Sequence, residues 1–164
     1  MNSQIKIYLD TSVPNFLFAD DSPEKKEATI DFFDNFILTE KYECYISEYV
    51  LAEIEATKNE EKKTLLFESI NKYPIKIIEI EKKSEVAQLA ERYILAGIIP
   101  EKKIMDALHV AVCTVYNINF LVSWNFKHLA NINKEYRIKS VNYQNLYFNE
   151  LRIITPLELI DYGN

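Results

Sequence analysis

Glycine is nearly missing: Gly97 and Gly163 are the only two among 164 residues. A P-loop, a dinucleotide-binding fingerprint and a nucleophile elbow all need close backbone approach at several glycines, so all three are excluded. Cysteine and histidine number two each, too few to make a structural zinc site a natural reading. Cys44 and Cys113 fall inside a predicted strand and a predicted helix. They are expected to be buried, reduced thiols of a cytosolic protein. No apolar run is long enough to span a bilayer, and Met1–Gln4 leads directly into a strand, so neither a signal peptide nor an anchor is expected. Positive charge is also in deficit, the net charge being −6. A protein that merely coats nucleic acid would be basic. A knot of acids that holds cations is compatible with this balance.

What is present is a globular chain, 48% apolar, long enough for one domain with a proper core, residues 1–164. The stretch that organises it is IKIYLDTSVPNFLF. Ile5–Leu9 reads as a buried strand ending on Asp10, followed by Thr11, Ser12 and Pro14. Asn15–Ala19 reads as a helical turn or two. A helix starts at Asp21-Ser22-Pro23-Glu24 and turns Ala28, Phe32, Phe33 and Phe36 inward before ending near Leu38. Then come a strand Tyr42–Ile46, a helix Glu48–Thr57 capped by Ser47, and a helix Asn59–Asn71. The strand Ile75–Ile80 follows, and then a helix to Ala96 capped by Ser84 and ended by Gly97. Pro100 opens a helix to about Tyr116. A strand Phe120–Ser123, a loop or short helix Asn125–Asn131, a helical segment Glu135–Tyr147, a strand Leu151–Ile154 and a helix Pro156–Asp161 complete the chain. Strands alternating with helices predict an α/β fold, a parallel sheet of about five strands sandwiched by helices.

Three acids need a physical account. In open α/β sheets, chemistry collects at the carboxyl ends of the strands, where Asp10 is placed. On the helix Glu48–Thr57, Glu53 and Glu55 flank the apolar face of Val50, Leu51 and Ile54, and the helical wheel does not choose between them. The helix from Pro100 carries Ile104, Leu108, Ala111 and Val115 on one stripe. Its opposite side holds Asp106, His109, Val110 and Cys113. No lysine or arginine occurs between Ile104 and Phe126. Asp106 is therefore expected to be buried, and an unpartnered buried carboxylate is costly. Its remedies are a distant cation, backbone N–H groups or a metal. The bland alternatives are a helix-end acceptor for Asp106, a turn residue for Asp10 and a surface acid for Glu53.

YLDTSVPNFLFADD, SEYVLAEIEAT, KIMDALHVAVC, FLVSWNFKHL and RIITPLELI together resemble, in order and spacing, the PIN-domain family, most closely the VapC-type toxins of bacterial toxin–antitoxin pairs. The resemblance implies a metal-dependent ribonuclease with a PIN-like fold. It places the family's first three acids on Asp10, Glu53 and Asp106, which selects Glu53 over Glu55. It places the fourth position on Asn125, where an aspartate is common, and the flanking hydroxyls on Thr11, Ser12 and Ser123. It implies Mg²⁺ or Mn²⁺ as cofactor, with Asp10, Asp106 and Glu53 as metal-site residues and Asn125 completing the catalytic set. Oxygen ligands of this kind suit such ions. With an amide at the fourth position, one well-held ion is expected. RNA as substrate, an antitoxin as partner, a homodimer and a cytoplasmic setting without membrane contact are further implications. The apolar surfaces of the Phe-rich first helices are the expected place for a partner or second copy.

Other residues weigh less. His109, one turn beyond Asp106, is read as a packed core residue before a leaving-group acid, and His128 as a local contact. Trp124 could stack on a base. Lys58, Lys62, Lys63, Lys102 and Lys103 are read as solvated faces. Lys127, Lys134, Arg137 and Lys139 are the better candidates for backbone phosphates. A haloacid-dehalogenase-like phosphatase also begins with a strand ending in Asp, but it wants a second acid two residues on, where Ser12 stands. A catalytically weak PIN domain serving as a protein- or RNA-binding module is the alternative that Asn125 keeps open.

Overall fold

The computed structural model describes residues 3–125 and 129–163. Its elements in chain order are β1 (Lys6–Leu9), α1 (Ser12–Phe16), α2 (Pro23–Phe32), β2 (Glu43–Ser47), α3 (Glu48–Glu55), α4 (Glu60–Lys72), β3 (Ile75–Ile78), α5 (Lys83–Leu95), α6 (Ile104–Val115), β4 (Phe120–Val122), α7 (Ile132–Gln144), β5 (Arg152–Ile154) and α8 (Pro156–Gly163). The expected α/β architecture is what forms: five strands, all parallel, in the order β3-β2-β1-β4-β5. Ile7, Tyr8 and Leu9 are all fully buried. A strand covered on both faces reads as a continuous apolar run rather than an alternating one.

This order places the site. From β1 the chain steps outward through β2 to β3, then returns to lay β4 on the other side of β1 and continues to β5. The β1–β4 seam is thus a topological switch point, where the loops leaving two adjacent strands diverge and leave a crevice at the carboxyl edge. Right-handed crossovers send the helices before and after the reversal to opposite faces. Asp10 N–H still donates to Val122 O at 3.2 Å, so the ladder runs one residue past β1 and pins the backbone of the first acid.

Several local expectations are corrected. The first helical turn begins at Ser12, three residues earlier than expected, because Pro14 fits inside a first turn, where its missing N–H costs nothing. The helix after Pro23 passes at Phe33–Ile37 into a π-helical turn. Phe32, Phe33 and Phe36 are core residues, so these phenylalanines offer no docking surface. Ser84 is not a cap, since α5 starts at Lys83 after Lys82. A 3₁₀ turn, Glu101–Lys103, precedes α6. On α6 the more deeply buried side is the one carrying His109, Val110 and Cys113, while Ile104 is exposed. Ser47 does cap α3, accepting from Tyr49 N–H at 3.2 Å. Gly97 ends α5 at φ 68°, in the left-handed region that favours glycine. Cys44 and Cys113 are free and buried, as expected. Among the described residues, no helix is long and apolar enough to cross a membrane. Lys127, His128, part of the Asn125–Asn131 segment and the first residues of the Met1–Gln4 lead lie outside the described residues.

Candidate active site

Four separate parts of the chain meet at the carboxyl edge of the sheet. Asp10, Thr11, Ser12 and Asn15 come from the end of β1 and from α1, Glu53 from α3, Asp106 and His109 from α6, and Asn125 from the segment after β4. Together they line one cleft of about 250 Å³. No lysine or arginine is in this lining among the described residues. The three acids and the amide expected to act together therefore share a cleft. Ser123 stands just behind it. Glu55, by contrast, is exposed on α3 and lies 3.9 Å from Lys63.

Asp10 is buried, at 3% exposure. Its Oδ1 accepts from Ser12 N–H at 3.0 Å and from the Ser12 hydroxyl. Its Oδ2 accepts from the Ser123 hydroxyl. Ser12 Oγ also accepts from Trp124 N–H at 2.9 Å, and Ser123 Oγ accepts from Asn125 N–H at 2.9 Å. The two serines thus tie the loops after β1 and β4 together through the carboxylate. Burial pushes the Asp10 carboxyl above its ordinary range, and nearby Asp106 adds to the rise. The electrostatic pull of His109 and the two serine hydroxyls oppose it without cancelling it.

Glu53 is half-buried. Its Oε1 accepts from Thr11 Oγ1 at 2.7 Å and pairs with His109 Nε2 at 2.5 Å. Burial works to raise this carboxyl. The His109 hydrogen bond, the electrostatic pull of that ring, the Thr11 hydroxyl and the charge of Lys103 outweigh it and hold Glu53 below its ordinary value. Two acids of one cleft are therefore pushed in opposite directions, a pattern common where carboxylates have different tasks. Asp106 is half-buried rather than enclosed. It stands in the first turn of α6, near the helix's positive end, and accepts from Asn125 Nδ2 at 3.2 Å.

His109 is packed in the core at 1% exposure. Trp124 is 4% exposed and donates from Nε1 to Thr29 Oγ1 at 2.9 Å, so it holds α2 against the loop after β4 and is not free to stack on a base. Lys134 Nζ donates to Ile98 O at 2.9 Å and Arg137 to Ala96 O at 2.8 Å. Lys139 pairs with Glu135 and Glu150. These three cations brace the fold. Asn15 and Tyr8 join the site without having been expected from the sequence. Asn15 follows Thr11 by one helical turn, a usable signal. Nothing in a run of apolar strand residues marks Tyr8 as wired to the cleft.

Whether the donors suit a divalent ion is a question of chemistry and of spacing. Carboxylate and amide oxygens are the hard donors that Mg²⁺ and Mn²⁺ prefer, and a buried, charge-disfavoured Asp10 is what an added cation would relieve. In the arrangement seen, the acids line the cleft singly. Among the described residues no three acid, histidine or cysteine side chains stand close enough to form a ready-made cage.

A family model described as "PIN domain" matches residues 7–134. Among solved structures, the chain is similar to one of VapBC2 from Rickettsia felis bound to a DNA fragment from their promoter. Identity there is 17%, with 92% of this chain and 98% of that chain covered at a TM-score of 0.55. It is also similar to DNA-bound VapBC from Salmonella typhimurium, at 15% identity, 93% and 98% coverage and a TM-score of 0.55. Among curated proteins, none matches.

Proposed function

The chain belongs to the PIN domain family, and from that premise we propose that it is a metal-dependent endoribonuclease that hydrolyses RNA phosphodiester bonds, the toxin of a toxin–antitoxin pair. One observation carries the reading: three carboxylates from three elements, with an amide from a fourth, line a single cleft at the sheet's switch point. A structural role for each acid separately would not require them to share a cleft.

In this reading Asp10 and Asp106 would hold a Mg²⁺ or Mn²⁺ ion, Glu53 would act through water and Asn125 would complete the set. When bound, the ion lowers the pKa of its water and offsets charge growing on the phosphoryl oxygens. Ser12 and Ser123 fix the Asp10 carboxylate by its two oxygens, so that it need not reorganise when a ligand arrives. Glu53, held ionised, orients the attacking water. The VapBC structures that share this fold are complexes, which supports an antitoxin as partner here. A homodimer and a cytoplasmic location are parts of the same proposal.

The test is cleavage of RNA by the purified protein with Mg²⁺ or Mn²⁺, with chelator, and in the variants Asp10→Asn and Asp106→Asn. Cleavage that needs the ion, and that falls to background in both folded variants, is the expected result. Cleavage by either variant at the parent rate overturns the assignment of that acid. A folded parent that binds RNA without cutting it favours the binding-module reading, to which the amide at Asn125 points.

A further inference from the structure

Behind the cleft runs a buried chain of hydrogen bonds that the proposed hydrolysis does not itself use. Ser47 Oγ lies 2.7 Å from Tyr8 Oη, and Tyr8 Oη lies 2.7 Å from His109 Nδ1. His109 Nε2 then meets Glu53 Oε1 at 2.5 Å. Ser47, Tyr8 and His109 are buried, and three elements, β1, β2 and α6, supply them.

The direction of this chain follows from counting donors. Ser47 Oγ already accepts from Tyr49 N–H. An ionised Glu53 can only accept, so His109 Nε2 must carry a hydrogen. If Nδ1 is the acceptor, Tyr8 donates to it, Ser47 donates to Tyr8, and every hydrogen has a partner. If Nδ1 carried a hydrogen instead, Tyr8 would donate back to Ser47, and the Ser47 hydroxyl hydrogen would have no acceptor among the described residues. A buried donor without a partner costs about 1–3 kcal/mol. Burial also holds the Tyr8 phenol well above its ordinary range, so it stays a donor.

At the far end, Glu53 Oε1 takes two donors, Thr11 Oγ1 and His109 Nε2. Its Oε2 receives no hydrogen bond from the described residues. We propose that Tyr8 and His109 are positioning residues for Glu53: the Ser47–Tyr8–His109 chain, fixed as the Nε2–H tautomer, occupies Oε1 and leaves Oε2 as the oxygen that meets water or ion in the cleft. This rests on the nuclease reading for its consequence, but not for its geometry.

The geometry is tested in solution on the intact protein by ¹⁵N NMR of the histidine rings. A single Nε2–H tautomer with an accepting Nδ1 is expected for His109, and in Tyr8→Phe, where Nδ1 loses its donor while Glu53 still holds Nε2–H, the Nδ1 resonance is expected to move. An Nδ1–H tautomer, or no change in Tyr8→Phe, overturns the proposal whatever the activity. The consequence is tested with a pair of variants, in which the Asn amide stands in for Nδ1 and the Gln amide for Nε2. His109→Asn is expected to lower kcat about 10- to 100-fold with little change in KM for RNA. His109→Gln, which keeps a donor for Oε1, is expected to recover most of that loss. Equal damage in both, or none in His109→Asn, overturns the role assigned to the Oε1 contact. If the parent cuts no RNA with any ion, the nuclease reading fails, and the NMR arm still decides the chain.

Discussion

At the scale of single residues, Asp10 carries a conflict that can be measured. Burial lifts its pKa above the ordinary 3.8, so the native fold prefers the neutral acid. An acid raised in the folded state lends stability while it is protonated, and that contribution is lost as pH rises through the folded pKa. At pH 7 without divalent ions, the native state therefore bears the cost of a buried charge. Asp10→Asn removes the charge and keeps the Oδ1 acceptor for Ser12. In chelator at pH 7 this variant is expected to melt above the parent. About 1 kcal/mol moves Tm by roughly 2–4 °C in a chain of this size, so the width of the gap reads out how far burial raises this carboxyl. The gap should close below about pH 4, near the ordinary carboxyl pKa. Melting curves across pH decide it, because a variant that melts lower at every pH would make Asp10 simply a fold-holding acceptor. Glu53, held low by His109 and Thr11, has the opposite sign: its contribution is present above the unfolded pKa and lost as pH falls.

At the scale of elements, the end of α5 shows how few contacts set the approach to the cleft. Gly97 N–H donates to Ile94 O at 2.9 Å and Ile98 N–H to Tyr93 O at 3.0 Å, the paired bonds of a left-handed glycine stop. Lys134 and Arg137 of α7 then donate to Ile98 O and Ala96 O. A helix terminus with its negative dipole end is thus covered by two cations, and the following 3₁₀ turn delivers Asp106 to the cleft. A Cβ at Gly97 would meet only Arg137 at 3.9 Å, so space is not the obstacle. The cost of Gly97→Ala is backbone strain at φ 68°, about 1–2 kcal/mol, or a Tm lower by roughly 2–8 °C. RNA cleavage at 25 °C should be unchanged. Scanning calorimetry checks the first, and a tenfold loss of cleavage would show that the cap also sets the position of Asp106.

At the scale of the whole molecule, the sheet was legible because its strands are short β-branched runs punctuated by Asp, Pro and Asn, and parallel pairing follows from intervening helices. Asp10 was legible from its strand end. Glu53 was not separable from Glu55 by periodicity, since both flank one helix face, and only the fold aims Glu53 at the cleft. Asp106 is shallower than the apolar run around it suggests, because α6 is buried along its length but opens at its first turn. The Ser47–Tyr8–His109 chain joins residues 39 and 101 positions apart, a coincidence that no local pattern encodes. Folding thus brings three negative charges to a cleft whose described lining holds no cation, in a chain whose net charge is already −6. Such convergence favours any ion that binds the native state and not the unfolded chain. At about 100 times Kd, Mg²⁺ or Mn²⁺ should stabilise the fold by about 2.7 kcal/mol, a Tm rise of roughly 5–11 °C. NaCl at equal ionic strength should give much less, because screening acts weakly on a partly buried cluster. Asp106→Asn should lose most of the divalent-specific rise. If NaCl reproduced the whole effect, the acids would be responding to general screening, and a bound ion would no longer be needed to explain why they meet.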